Sequence, residues 1–337
     1  MRDAPLLGGQ RVVVAGLGDL AARGIECVLA IVVGTSGSTY RKPGALILLD
    51  AAGVRAGALS GGCLEAELEA CARAVLDHGV AAQARFDTTG DEDRIFGSAT
   101  GCGGSTHVLL LPVPARASPL RDALLASDRV GETLMLDLAL SAAELGRGEA
   151  RVAGDVHAFD ERGVAGAVGR ITGDAVSLTI RAGRRVLLLG AGPETLPLLA
   201  LTRLLGWHVE LLEHRERWLR FADGSALDAV HRDGPDTLPA LLAQAHFDAA
   251  LVMNHNVHLD ARCLAHLAAD DIGYVGLLGP AARRDDLLAE IGVDATERLR
   301  PRLHAPVGLA LGGEGAEAIG IAIVAELQLE FARDARR

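Results

Sequence analysis

From Arg184 onward, short apolar runs alternate with segments whose apolar residues recur at helical spacing. Val186–Leu189 is one such run and stops at Gly190. Pro193–Leu205 then reads as a helix, with its proline near the first turn, where a missing amide costs little. Val209–Leu212, Asp248–Met253 and Tyr274–Leu278 are further runs of strand length, and His258–Ala269, Ala281–Ile291 and Ala316–Phe331 have helical patterns. Strands interleaved with helices predict a parallel sheet covered on both faces.

The first half is less regular. Cys27–Val33 is a strong strand pattern, and Ala45–Leu49 and Val54–Ala58 flank the turn Asp50–Gly53 as a hairpin. Cys63–Asp77 is helical in pattern, and His107–Leu111 is a last strand. The segment Val12–Gly18 imitates a strand and glycine turn. However, only about eight residues separate it from the next strand, fewer than the roughly ten to twelve that a parallel crossover needs. It reads instead as a helix or loop with incidental glycines. Three prolines in residues 112–119 suggest a linker, and residues 151–184 carry short apolar runs among Gly, Asp and Thr. The expected organisation is α/β: an N-terminal small α+β glycine-loop domain (1–115), a connecting segment with short strands (116–183), and a Rossmann-like parallel-sheet domain (184–337).

Composition narrows the function. Half of the 337 residues are hydrophobic and 23% are charged, as in a soluble globular protein. Aromatics are only 3%, so aliphatic side chains must fill the cores. A net charge of -11 argues against a broad nucleic-acid face. No apolar run is long enough for a membrane span, and no secretory signal pattern opens the chain. The five cysteines are widely spaced, odd in number and without a CxxC, against a disulfide framework or a zinc knuckle. Reduced thiols and a cytoplasmic location are the expectation.

The chemistry-bearing motifs are rich in glycine. Gly190-Ala191-Gly192 follows a strand and opens a helix, where backbone amides can face a phosphate. Glu213 ends the next strand, placed to bond a ribose hydroxyl. Thr195 stands where the dinucleotide fingerprint has its third glycine, so the turn can equally be one that binds nothing. In the first half, three loops combine glycines with hydroxyl groups: residues 34–44 with Ser38, Arg41 and Lys42; Ser60-Gly61-Gly62-Cys63; and Thr100-Gly101-Cys102-Gly103-Gly104-Ser105. Exposed amides, hydroxyls and the Arg41 charge suit a phosphate or a pterin edge. Cys63, at a predicted helix start, and Cys102, among glycines, are candidates to contact a soft metal or carry sulfur; the alternative is small residues chosen for packing. Cys27, Cys71 and Cys263 fall in core patterns. His255 follows a central strand and is a candidate ligand contact. His258 and Asp260 nearby make only a weak metal signature. Arg283 and Arg284 are either a solvated face or a clamp. No catalytic residue set stands out.

Together these residues resemble the XdhC/CoxI family of xanthine dehydrogenase accessory proteins. Gly37–Gly44 is similar to its GSxxRxxG loop, Ser60–Glu65 to its SGGCxE motif, and Gly101–Gly104 to its GCGG loop. Gly190-Ala191-Gly192, Leu205-Gly206-Trp207, Glu213-His214-Arg215, Met253–Asp260, Tyr274–Pro280 with Arg283, and His304–Leu309 resemble its later motifs, in order. Glu213 stands for the usual Asp and Asn254 for the common Thr, and residues 312–317 lack the Pro often found there. The resemblance implies a non-enzymatic chaperone that binds molybdenum cofactor, as molybdopterin or its dinucleotide form, and protects it during sulfuration. It also implies a xanthine dehydrogenase-type molybdoenzyme as recipient and a cysteine desulfurase-type sulfur donor. A homodimer is the default expectation. Gly190, Gly192 and Glu213 keep two rivals open: an NAD(P)-dependent oxidoreductase and a non-catalytic nucleotide-binding module.

Overall fold

The computed structural model describes residues 9–87, 103–161, 173–220 and 227–334. The chain forms two compact units, Met1–Gly183 and Arg184–Arg337.

The first unit is built on strands β1 (Cys27–Gly37), β2 (Leu46–Asp50), β3 (Gly53–Ala56), β4 (Ala82–Asp87) and β5 (Gly104–Val113). They form an antiparallel sheet in the order β3-β2-β1-β5-β4. The central strand β1 is apolar on both faces because both are covered. Leu29, Ile31 and Val33 meet Val13, Val14, Leu17 and Leu20 of helix α1 (Gly9–Ala22). Val28, Ala30 and Val32 meet Leu68, Ala72 and Val75 of helix α2 (Glu65–His78). The Val12–Gly18 segment, expected as helix or loop, thus lies within a helix.

Residues 116–183, expected as a connecting segment, are part of this unit. Pro119 opens a helix rather than a linker: α3 (Pro119–Val130) is capped by Ser118, whose hydroxyl accepts from the Arg121 amide. Strands β6 (Leu134–Ala139), β7 (Arg147–Val152), β8 (Asp155–Asp160) and β9 (Ala175–Ile180) follow as an antiparallel sheet, order β8-β7-β6-β9. Leu134, Leu136, Leu138, Ala150 and Phe159 project into the same core as Leu29 and Ile31. Alternation at positions 134, 136 and 138 carried this signal, but Met135 blurs its period.

The second unit is a six-stranded parallel sheet of β10 (Arg185–Leu189), β11 (His208–Leu212), β12 (Ala229–His231), β13 (Ala249–Val252), β14 (Tyr274–Leu277) and β15 (Leu303–His304). The order β12-β11-β10-β13-β14-β15 is that of a Rossmann fold. One face packs on α4 (Thr195–Leu205) and α10 (Gly315–Asp334). The other packs on α6 (Leu238–Gln244), α7 (Val257–Ala268), α8 (Ala281–Ile291) and α9 (Val293–Leu299), with the short α5 (Glu216–Leu219) following β11. The strand order reverses between β10 and β13, which opens a crevice at their carboxyl ends. No helix among the described residues is long and apolar enough to cross a membrane.

Because the two sheets of the first unit share one core, Leu136→Ala should destabilise that unit by about 2–5 kcal/mol. Hydrogen exchange should then show β1 losing protection together with β6; loss confined to β6–β9 would contradict a shared core.

Candidate functional site

The loops around the second unit's crevice are held by side chains of their own sequence. Gly190 has φ +95°, and a Cβ there would meet the Asn254 backbone at 2.6 Å. A Cβ on Gly192 would meet His255 Nε2 at 2.6 Å and Glu194 Oε2 at 2.7 Å. The two glycines therefore make room for protein atoms. Between Gly190 and Thr195 the backbone N–H groups of Gly190, Ala191, Gly192 and Thr195 have acceptors within the protein. Gly190 donates to the Leu212 carbonyl, Ala191 to Glu213 Oε2, Gly192 to Thr195 Oγ1 and Thr195 to the Gly192 carbonyl. Pro193 has no N–H. Thr195, at the position of the missing third glycine, is the acceptor that closes this set.

Glu213 is buried beneath Arg215. The guanidinium grips both carboxylate oxygens, Nε–Oε1 2.8 Å and Nη2–Oε2 2.6 Å, while the Arg215 amide adds a third bond at 2.8 Å. Burial pushes the Glu213 pKa up, but these bonds and that from Ala191 outweigh it and hold the group below the usual carboxylate range. Arg215 also donates to the Asn254 carbonyl at 2.8 Å. The ribose partner expected from the sequence is thus a clamp joining three loops.

His255 sits at the end of β13 with φ +55°, a conformation that costs a non-glycine residue energy and tends to mark functional positions. Its ring is stacked on Trp218 at 6.3 Å, and Nε2 lies 3.3 Å from Glu194 Oε2. The hydrogen bond to His255 is the main reason the Glu194 pKa is lowered. The expected companions are elsewhere. His258 is 86% exposed beside Glu290. Asp260 is buried, accepting from the Asn254 amide and side chain and from Arg283 at 2.6 Å. No cluster of three or more His, Cys, Asp or Glu able to hold a metal occurs among the described residues. Arg283 is therefore an internal ion-pair partner, and Arg284 reaches Asp285 and the Ala305 carbonyl. Sequence reading missed Glu194 and Trp218; an acid one residue before the helix, where an anion would sit, was the available signal.

In the first unit, strand pairing sets Gly37 opposite Gly104, so the loop at 34–44 and the one at 100–105 meet. The approach is close: a Cβ on Gly104 would collide with the Ser38 and Ser36 carbonyls. Ser36 and Ser105 hydroxyls lie 2.9 Å apart across the pair. Gly103 borders this contact, while Gly101 and Cys102 lie outside the described residues.

The loop Ser60–Glu65 leaves the edge strand β3 and bonds within itself. Ser60 Oγ accepts from the amides of Gly62, Cys63 and Leu64, each at 3.1 Å, and donates to Glu65 Oε2 at 2.6 Å. Glu65 Oε1 takes the Leu59 and Ser60 amides. Burial raises the Glu65 pKa, but the Ser60 and backbone bonds outweigh it and lower the group overall. Gly61 and Gly62 are open to additional side-chain volume, with nothing near their Cβ positions. Cys63 stands exposed just ahead of α2, its Sγ 3.3 Å from Ser60 Oγ.

Residues 20–87 match the XdhC and CoxI family, and residues 186–327 match the XdhC Rossmann domain. The chain belongs to the XdhC and CoxI family. It is 27% identical over 320 residues to a probable xanthine dehydrogenase subunit of Bacillus subtilis (strain 168), covering 90% of this chain and 92% of that one. A crystal structure described as a xanthine dehydrogenase from Bacillus halodurans superposes with a TM-score of 0.76 at 26% identity, covering 95% of this chain and 96% of that one. The family match in the first unit thus takes in the loops at 34–44 and 60–65, and that in the second takes in the glycine turn, Arg215 and His255.

Two measurements check this XdhC site. The depressed Glu213 pKa stabilises the fold above the carboxyl's unfolded value, and that contribution is lost as pH falls through the folded value. The second unit should therefore weaken on acidification, with Glu213→Gln flattening the slope. Trp207 and Trp218, both in this unit, report it by fluorescence in urea titrations at several pH values. Equal slopes would remove the clamp. Second, burial pushes the Cys27 and Cys263 thiols up to about 12, whereas Cys63 is exposed. Iodoacetamide at neutral pH should label Cys63 well before either buried thiol, read by peptide mapping.

Proposed function

We propose that this protein is a non-catalytic accessory factor of a xanthine dehydrogenase-type molybdoenzyme, holding molybdenum cofactor and passing it to that partner. The observation that carries the reading is the meeting of two glycine-rich loops at Gly37 and Gly104. It puts the Ser38 carbonyl against Gly104 and the Gly103 carbonyl against Gly37 at the end of a sheet. Ser60, Gly61, Gly62 and Cys63 belong to the same unit. Membership of the XdhC and CoxI family and the names of the two relatives supply the partner class. In the bound state the cofactor contributes the molybdenum centre that the recipient needs. The chain's loops hold the pterin, keep water from it and release it. Cys63 is suited to contact the metal or its sulfur, because its thiol is exposed where Cys27 and Cys263 are buried, and Cys102 is the second candidate from the sequence. A cysteine desulfurase-type donor, a homodimer and a cytoplasmic setting complete the proposal.

A carrier role fits the crevice better than turnover does. The carboxylate that a dehydrogenase would offer to ribose is gripped by Arg215, and the turn that would hold a pyrophosphate has its amides bonded internally. The test is a titration of the full chain with molybdenum cofactor, with NAD(H) in parallel, read by retained pterin fluorescence, molybdenum content and thermal shift. Micromolar or tighter retention, without an NAD(H) response and with transfer to apo-molybdoenzyme, is expected, on the usual scale for carried ligands. NAD(H) binding without pterin retention would overturn the reading. Cys63→Ala and Cys102→Ala should weaken retention or delivery; normal behaviour in both removes the thiol role.

A further inference from the structure

Arg41 differs from the other arginines set into the first unit. Its Nε is buried and meets no hydrogen-bond partner, as is true of Arg147 Nε, but Arg147 has two carboxylates beside it and Arg41 pairs with none among the described residues. Arg121 shows what a buried guanidinium ordinarily finds: the carbonyls of Pro114 and Ala115, and Asp122. Arg147 pairs with Glu144 and Asp160, and Arg55 with Asp50. Among the described residues no carboxylate pairs with Arg41, and residues 34–44 contain no acid, although the chain carries a net charge of -11. Lys42 is adjacent and exposed, its Nζ 3.5 Å from Thr39 Oγ1. The loop is held at both ends: Thr39 Oγ1 donates to the Arg41 carbonyl at 2.9 Å, Gly44 donates to Val32, and the Ser38 carbonyl abuts Gly104. A buried donor without an acceptor destabilises the fold, so a guanidinium kept this way is set up for an anion that arrives from outside.

The second unit's glycine turn offers the opposite. Its amides are bonded internally, and Glu194 brings a carboxylate to the start of the helix, where it would repel an anion. We infer that Arg41 in the first unit, with Ser38, Thr39 and Lys42 around it, binds the phosphate ester of this protein's ligand, and that the Rossmann turn does not. The forked guanidinium takes two phosphate oxygens, while Lys42 and the Ser38 hydroxyl suit the third oxygen and the second charge, a match to phosphate rather than to a carboxylate; Thr39, whose hydroxyl is committed to the Arg41 carbonyl, holds the loop in shape. The inference rests on the cofactor reading only for the ligand's identity.

Inorganic phosphate and pyrophosphate serve as probes, titrated calorimetrically into the full chain at constant ionic strength, with acetate as control. Saturable binding of the phosphates and none of acetate is expected. Arg41→Met should weaken it about tenfold or more, as loss of a charge-assisted contact does. Ligand-free Arg41→Met should melt no lower than the parent protein, because the guanidinium it removes pairs with no carboxylate among the described residues. Should that variant not fold, Arg41→Lys carries the test and is expected to bind several-fold more weakly. Hydrogen exchange with phosphate present should protect residues 34–44 and leave 190–195 unchanged. Unaltered affinity in either variant, or protection at 190–195 alone, overturns the inference. Phosphate binding at Arg41 without pterin retention removes the cofactor reading and leaves this site standing; pterin retention that ignores Arg41→Met does the reverse.

Discussion

The buried pair of Glu213 and Arg215 holds the second unit's functional edge together. A carboxylate at the end of β11 accepts the Ala191 amide from the loop after β10, and the arginine that neutralises it donates to the Asn254 carbonyl after β13. Three neighbouring strands of the sheet thus deliver their loops to one charge pair. Such a pair adds little over a hydrophobic replacement, but removing one member leaves an uncompensated charge and costs about 3–5 kcal/mol. Its value is positional. With Asn254 fixed from below, and fixed again through Asp260 and Arg283, the next residue, His255, has no room to relax and is held at positive φ against Trp218 and Glu194.

The first unit solves a related problem with a hydroxyl and a single carboxylate. Ahead of α2 the exposed amides of Gly62, Cys63 and Leu64 turn toward a single hydroxyl, Ser60, and Glu65 closes the loop from the other side. An acid in the first turn of a helix is favoured by the backbone alone; here it also fixes the loop that presents Cys63. In both units a glycine-rich segment that looks like a ligand cradle has its donors bonded to its own chain. What stays available is side-chain chemistry at the rim, namely the Cys63 thiol and the His255 ring, together with the Arg41 guanidinium in the neighbouring loop.

Much of this architecture was legible from residue pattern. The parallel sheet of the second unit could be read because its central strands are short, wholly apolar and end at glycine or charge, as at Val186–Leu189. The short span before β1 excluded a strand with a parallel crossover at Val12–Gly18 and left helix or loop open; the chain forms a helix there. What escaped were elements too short for any period, such as β12, β15, α6 and α9, and the strands β6 and β7; short strands were expected in residues 151–184, where β8 and β9 lie, but not their union with β6 and β7 in one sheet on the first unit's core. At the site, the glycines, Ser60, Cys63 and His255 were visible as residue types in suggestive places. Their partners were not, because a hydrogen bond such as Ala191 to Glu213 joins residues 22 apart through a fold that spacing does not encode.

The second unit also shows why a dinucleotide fingerprint and a dinucleotide site are separable. Glycine is needed at 190 and 192 by geometry whether or not a phosphate is present: one must pass Asn254 at positive φ, and the other must leave space for His255 and Glu194. A turn selected for close approach of protein atoms leaves the same sequence trace as one selected for close approach of a pyrophosphate. The discriminating residues are those around it. Thr195 consumes the Gly192 amide, Glu194 adds negative charge at the helix start, and Arg215 covers the acid that would otherwise greet a ribose. Fold and function part at these three positions. The Rossmann turn thus carries negative charge where a phosphate would sit, whereas in the first unit Arg41, which pairs with no carboxylate among the described residues, carries the opposite charge.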